Sequence, residues 1–82
     1  MSLYYLSYDL RENKDYDKII NELERWGAKR ILKSQWCFKK INTSATEIRE
    51  HFKKYIDKDD GLSIAEVSDW ATRKTENSPN DL

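Results

Sequence analysis

The first segment of the chain combines large apolar side chains with a single carboxylate at its end. Residues 3–9 read Leu-Tyr-Tyr-Leu-Ser-Tyr-Asp, a run that fits the pleated, half-buried surface of a β-strand. Asp is rare inside strands, so we expect Asp9 at the point where the strand ends. Alternation divides the side chains between two sheet faces, with Tyr4, Leu6 and Tyr8 on one and Leu3, Tyr5, Ser7 and Asp9 on the other. The sequence leaves open which set faces the core.

A first amphipathic helix is predicted to begin near Asp15. Asn13 or Asp15 can cap its start, and Gly27 can end it by adopting a left-handed conformation without steric cost. Its apolar residues recur at helical spacing on one stripe: Tyr16, Ile19, Ile20, Leu23 and Trp26.

A second helix is predicted from Ser44, which has capping-box spacing with Glu47. We expect it to stop near Tyr55 or Ile56, before the Asp-rich turn cluster of residues 57–61. Its apolar stripe consists of Ala45, Ile48, Phe52, Tyr55 and Ile56.

Short strands complete the pattern. Residues 28–32 and 36–41 predict a hairpin with a turn or bulge at Ser34–Gln35, and residues 62–67 predict a last strand. The order strand, helix, strand, strand, helix, strand predicts an α+β, ferredoxin-like fold: a four-stranded antiparallel sheet with two helices on one face. We expect this domain over residues 1–71 and a polar, flexible C-terminal extension over residues 72–82.

Charge is balanced, whereas the aromatic content is high. Among 82 residues, 15 are Lys or Arg and 15 are Asp or Glu, so no overall basic field attracts nucleic acid. Three Trp, five Tyr and two Phe are many for a chain with a thin core. Since the second sheet face receives no cover from its own chain in this fold, we expect a homodimer that pairs these faces.

The remaining composition indicates a cytoplasmic protein. The single Cys37 excludes an internal disulfide and is typical of a reducing compartment, where it packs as a small apolar side chain. We see no secretory signal and no apolar stretch long enough to cross a membrane.

Several short motifs occur in an order that resembles a known family. They are Tyr8-Asp9 at a strand end, Trp26-Gly27-Ala28 at a helix end, and then Arg30, Ser34 and Trp36. Over residues 3–70 the chain resembles the small CRISPR-associated ribonuclease of the adaptation complex. It is also similar to that family's stand-alone relatives, which include virulence-associated protein D toxins.

The resemblance implies a ferredoxin-like homodimer in which Asp9 approaches the same residue of a second copy. The two carboxylates would share one divalent ion, magnesium, that activates water against a phosphodiester of RNA or DNA. Asp9 is thereby implied as the catalytic and metal-binding residue. The residues implied in substrate binding are Tyr8, Arg11, Arg30, Ser34 and Trp36. A protein partner encoded nearby is a further expectation.

Each of these features also has a plainer interpretation. Asp9 can start an Asx-turn, and the acidic run at Asp57, Asp59 and Asp60 is expected to form a turn, not a calcium loop. Trp36 is more typical of core packing than of base stacking, and His51 is given no role. A phosphate-binding patch, or alternatively an ordinary solvated surface, is predicted for Arg11, Lys14, Arg30, Lys33, Lys39 and Lys40. The sequence therefore supports two functions, a metal-dependent nuclease and a non-catalytic dimeric module that binds nucleic acid or protein.

Overall fold

A computed structural model describes residues 1–12 and 15–82 of the chain. The strands are β1 (Ser2–Asp9), β2 (Lys29–Leu32), β3 (Gln35–Lys40) and β4 (Gly61–Val67). The helices are α1 (Asp17–Arg25) and α2 (Ala45–Phe52), and α2 continues into a 3-10 turn at Lys53–Tyr55. A second 3-10 turn spans Pro79–Asp81.

The strands form one antiparallel sheet in the order β2-β3-β1-β4. β1 is central and pairs Tyr4 with Phe38 of β3 and Leu6 with Ile64 of β4. Each crossover through a helix connects strands that are not neighbours, as the split βαβ arrangement requires. The predicted α+β, ferredoxin-like fold is therefore confirmed.

The core lies between the sheet and the helices, and it settles which face of β1 is covered. Tyr4, Leu6 and Tyr8 are buried beneath the helices, whereas Asp9 is exposed on the other face. We call these the helix face and the open face. Most of the aromatic residues lie in or against the core on the helix face: Tyr4, Tyr8, Trp26, Trp36, Phe38, Phe52 and Tyr55. On β1 only Tyr5 brings an aromatic ring to the open face, so the aromatic count is explained by the core and not by a dimer seam.

Local signals in the sequence define most helix ends. Gly27 has φ +76°, the left-handed conformation expected after α1. The Ser44 side chain accepts a hydrogen bond from the Glu47 amide at 3.2 Å and caps α2, as predicted. α1 begins later than expected, after Tyr16, and Asp15 accepts a hydrogen bond from the Asp17 amide at 3.1 Å. The alternative cap, Asn13, lies outside the described residues.

The β2–β3 hairpin differs from its prediction by one residue. The turn lies at Lys33–Ser34, so Gln35 begins β3 and does not belong to the turn. A bulge between Arg30 and Leu32 shifts the register of β2. The extra residue increases the local twist, which sequence alternation alone does not reveal.

The C-terminal segment covers part of the open face. The Glu76 amide donates to the Ile31 carbonyl at 3.0 Å, and Asn77 Nδ2 donates to the Arg30 carbonyl at 2.9 Å. Pro79 is buried. The boundary at residue 71 and the flexibility of residues 72–82 stay predictions, but the expectation that the open face has no cover from its own chain is wrong.

Cys37 lies beneath this cover. It projects from the open face of β3 and is fully buried, although it is separate from the core under the helices. Burial raises the pKa of its thiol, and the nearby Asp81 carboxylate raises it further. Cys37 therefore packs as a small apolar side chain, as the sequence predicted.

No helix among the described residues is both long and apolar enough to cross a membrane.

Candidate functional site

Asp9 stands at the end of the central strand β1. It is the last residue of β1 and lies opposite Gly61, the first residue of β4. Its side chain is 72% exposed, and Arg11 Nε donates to Oδ2 at 3.3 Å. The carboxylate is thus held by a strand end and reaches solvent on the open face.

Arg11 is fixed by the loop that precedes β4. Its amide donates to Asp60 Oδ1 at 2.8 Å, and its Nη1 donates to the Asp59 carbonyl at 3.1 Å. Gly61 makes room for this side chain, since a Cβ there would lie 2.9 Å from Arg11 Nη2. The guanidinium therefore lies over Gly61 and spans the gap between Asp9 and the loop.

The acidic loop is held together by turn hydrogen bonds. Asp60 accepts from the Asp57 amide at 2.8 Å as well as from Arg11, and the Asp60 amide donates to the Asp57 carbonyl. The expected turn is confirmed. The alternative role of Asp9 as the start of an Asx-turn is wrong, because the Arg11 amide that such a turn needs donates to Asp60 instead.

One chain brings a single strong metal ligand to this position. Within residues 1–12 and 15–82, no three His, Cys, Asp or Glu side chains are grouped so that they could hold an ion. Magnesium binds through one or two carboxylates plus waters and substrate phosphates. Asp9 fits that donor set if a second copy contributes its own Asp9.

The other predicted site residues lie on the helix face at the same end of the sheet. The Tyr8 amide donates to the Ser34 carbonyl at 3.1 Å, which ties β1 to the hairpin turn. Arg30 Cζ lies 4.8 Å from the centroid of the Trp36 ring, in cation–π contact. Tyr8 and Trp36 are both buried, so Trp36 packs in the core and its ring is covered by Arg30.

A shallow pocket opens beside these residues, and we call it the helix-face pocket. The start of α1 and the hairpin end form its walls, and Tyr8 belongs to its floor. The Tyr8 and Tyr16 ring centroids are 6.1 Å apart with the rings tilted at 51°. The lining residues are Tyr8, Tyr16, Ile20, Arg30, Lys33 and Ser34.

The fold thus divides the predicted site between two faces. Asp9 and Arg11 lie together on the open face, whereas Tyr8, Arg30, Ser34 and Trp36 gather around the helix face. Adjacent residues of a strand point to opposite faces, and Tyr8 and Asp9 obey this rule. Their catalytic and substrate-binding roles stay predictions.

The predicted basic patch is also divided. Lys39 pairs with Leu3 on the open face, while Lys40 projects to the helix face, where its Nζ lies 4.4 Å from the Trp26 ring centroid. Lys14 lies outside the described residues. The positive charges therefore do not form one continuous surface on the open face.

An ionic cluster around the buried Glu22 carboxylate lies between the helices and was not expected from the sequence. Glu22 is 5% exposed and accepts hydrogen bonds from Arg25 at 2.7 and 2.8 Å and from Trp26 Nε1 at 3.0 Å. His51 Nε2 lies 2.5 Å from Glu22 Oε2. The Arg25 hydrogen bonds, opposed by burial and aided by His51 and Trp26, lower the pKa of Glu22 to about 2.

A sequence signal for this cluster existed. Glu22 falls on the same helical stripe as Ile19, Leu23 and Trp26, and a carboxylate inside an apolar stripe needs buried donors. His51, which was given no role, supplies one of them. The cluster joins α1 to α2.

The family model described as "CRISPR associated protein Cas2" matches residues 1–75 of the 82-residue chain. The match includes both faces of the candidate site and the acidic loop. It leaves out only the last seven residues, which include the Pro79–Asp81 turn.

Proposed function

Because this chain belongs to the family of the CRISPR associated protein Cas2, we propose that it is a magnesium-dependent endonuclease that acts as a homodimer. RNA is the first candidate substrate and DNA the second. The observation that carries the proposal is the exposed Asp9 carboxylate at the end of a rigid central strand. A carboxylate in that position can bind an ion without unfolding any element.

The homodimer supplies the second carboxylate. The open face of β1 and β4 presents Leu3, Tyr5 and Val67 as half-buried side chains, with small residues toward Asp9. Near Asp9, Gln35 Nε2 donates to Ser7 Oγ at 3.3 Å, so this end of the face is polar. Pairing two open faces about a two-fold axis would cover the apolar end and bring the Asp9 ends together.

Each side chain at this end of β1 would have a distinct task. The two Asp9 carboxylates would hold the ion, and Arg11 would turn from Asp9 toward a substrate phosphate, which a guanidinium binds in a fork. The acidic loop would keep the Arg11 main chain in place through Asp60. A magnesium ion bound there supplies Lewis acidity, which activates water and offsets charge on the phosphate.

The test compares Asp9→Asn with Asp59→Asn in cleavage of end-labelled single-stranded RNA and of duplex DNA. We expect Asp9→Asn to lose magnesium-dependent cleavage by at least about a hundredfold, because the ion loses its charged ligand. Asp59→Asn should keep wild-type cleavage, since Asp59 contacts Arg11 through its carbonyl and not its carboxylate. Chelation by EDTA should abolish the wild-type activity.

Sedimentation of both variants provides the control for assembly. Wild type and Asp9→Asn should have the same dimeric mass. Magnesium-dependent cleavage by purified Asp9→Asn would remove the proposal, and so would a wild type that stays monomeric while it cleaves.

A second function is favoured by the Arg11–Asp9 contact. An arginine on the carboxylate competes with a metal ion, and the balanced net charge weakens attraction to phosphate. These features suit a non-catalytic dimeric module that binds nucleic acid or a protein partner. It predicts no cleavage by the wild type with any divalent metal, together with a defined partner in pull-down experiments.

A further inference from the structure

The helix face holds a group of buried polar atoms that the described part of the chain does not satisfy. Tyr8 Oη, Arg30 Nε and Trp36 Nε1 are shielded from solvent and have no hydrogen-bond partner within residues 1–12 and 15–82. Folded proteins rarely leave such atoms unpaired, and a bound ligand or an ordered water is the usual explanation. Tyr8 and Trp36 are each more than nine-tenths buried.

These atoms lie in one region of the fold. Arg30 stacks on the Trp36 ring, and Arg30 and Tyr8 both line the helix-face pocket. Among the described residues, Tyr5 Oη is a further buried atom without a hydrogen-bond partner, and it lies on the open face. The unsatisfied polar atoms of the helix face are thus concentrated at the pocket and immediately beneath it.

The chemistry of the pocket favours an anion. Arg30 and Lys33 bring two positive charges, and the Tyr8 and Ser34 hydroxyls can donate. None of the six lining residues is acidic. A guanidinium beside an ammonium is a typical phosphate-binding combination.

The opposite wall of the pocket is apolar. Tyr16 is 38% exposed and Ile20 is half-buried, so a tyrosine ring and an aliphatic side chain face the space beside the two cations. Aromatic side chains bind nucleobases by stacking whatever the base sequence. A ligand with an anionic group at one end and a flat ring at the other matches both walls.

We propose that the helix-face pocket binds one nucleotide, with its phosphate at Arg30 and Lys33 and its base against Tyr16 and Ile20. A water that the phosphate orders gives the shielded Tyr8 hydroxyl a partner that residues 1–12 and 15–82 do not supply. The nucleotide is either a free monophosphate or the phosphorylated end of a strand. The pocket lies on the face opposite Asp9, so it is separate from the proposed cleavage centre and functions without it.

The first experiment measures AMP binding to the full chain by calorimetry and uses a matched pair of lysines. Lys33 lines the pocket, whereas Lys29 of β2 pairs with Cys37 on the open face, and both are exposed. We expect Lys33→Gln to weaken AMP binding by about fivefold or more, since it removes a phosphate contact. Lys29→Gln should stay within about twofold of wild type because its charge lies behind the sheet.

Two further variants separate binding from folding. Tyr8→Phe removes only the hydroxyl and should weaken AMP binding by about threefold or more. Arg30→Lys keeps the charge but loses the fork, and it should weaken binding by about tenfold. Thermal unfolding of each variant shows whether it is folded. If Arg30→Lys does not fold, the AMP affinity of Tyr8→Phe is the test of the pocket.

Ligand controls test the two ends of the nucleotide. AMP should bind at least about tenfold more tightly than inorganic phosphate and than adenosine, because only AMP contacts both walls. Comparison of AMP with a 5′-phosphorylated and an unphosphorylated trinucleotide identifies the source. The phosphorylated trinucleotide should bind more tightly than the unphosphorylated one. If it also binds more tightly than AMP, the ligand is a strand end; if it does not, the ligand is a free nucleotide, and both results support the pocket.

Three results would overturn the proposal. The first is that AMP does not bind at about 10 mM, which would leave an ordered water as the partner of these atoms. The second is that Lys29→Gln and Lys33→Gln weaken AMP binding equally. The third is that adenosine binds as tightly as AMP. Asp9→Asn should bind AMP like the wild type. Loss of cleavage with retained AMP binding therefore leaves this inference intact, and the reverse result leaves the nuclease intact.

Discussion

Glu22 and Asp9 each contact an arginine, and they do so in opposite surroundings. Glu22 is 5% exposed, and its oxygens receive donors from Arg25, Trp26 and His51. Asp9 is 72% exposed, and among residues 1–12 and 15–82 it has one side-chain donor, Arg11, at 3.3 Å. The difference is one of remaining binding capacity.

A carboxylate has about four lone-pair directions. Those of Glu22 are engaged by protein donors, so its role is to hold two helices together. Asp9 keeps most of its directions toward solvent, and its one ion pair is of the exposed kind that contributes little to stability. A negative charge alone therefore does not indicate a metal-binding site. A carboxylate that lies on a rigid element and still has free lone pairs does.

The largest expected effect on stability comes from Glu22→Gln. The change removes the charge that Arg25 and His51 contact, so we expect a loss of about 1–3 kcal/mol in unfolding free energy. Urea denaturation measures it, with Glu24→Gln on the exposed side of α1 as the matched control. Asp9→Asn should change stability by less than about 0.5 kcal/mol. Equal losses for Glu22→Gln and Asp9→Asn would refute the contrast between the two carboxylates.

Acid should weaken the fold through the same residue. The pKa of Glu22 is lowered in the folded chain from 4.5 to about 2, so the unfolded chain binds more protons between these values. Its contribution is complete above about pH 4.5 and is lost as the pH falls toward about 2. Unfolding free energies measured at intervals across that range should fall less steeply for Glu22→Gln than for wild type. Parallel curves would contradict the prediction.

A smaller effect than that of Glu22→Gln is expected from Arg11→Gln. The Arg11–Asp9 pair is exposed, so its loss should cost at most about 1 kcal/mol. Raising the salt concentration to about 1 M should remove most of the difference between variant and wild type, because exposed ion pairs are screened. A loss above about 2 kcal/mol in the same denaturation assay would show that Arg11 is a structural residue of the Glu22 kind.

Sequence patterns predicted the fold because its local signals agree. Alternation in β1, the left-handed Gly27 and the Ser44 cap each specify a local conformation, and all are present. The choice of buried face in β1 was open, because both faces carry large side chains. It is decided by contacts with Ile19 and Leu23, which are distant in sequence.

The site was harder to predict than the fold. The alternation of side chains along a strand already places Tyr8 and Asp9 on opposite faces, so the division of the site between two faces could be inferred from the sequence. The helix-face pocket could not be inferred from the sequence, since it depends on how the start of α1 packs against the hairpin. The C-terminal segment docks through hydrogen bonds to the main-chain oxygens of Arg30 and Ile31. The pattern of side chains does not predict such bonds, because every residue has a main-chain oxygen.

That docked segment has a consequence for how the sheet can grow. An exposed strand edge is a template for another chain, and a sheet has two such edges. Here the Ile31 carbonyl on the β2 edge is occupied by Glu76, while no described strand pairs with the outer side of β4. The docked segment therefore shields part of the β2 edge, and the β4 edge is the more open of the two to a further strand.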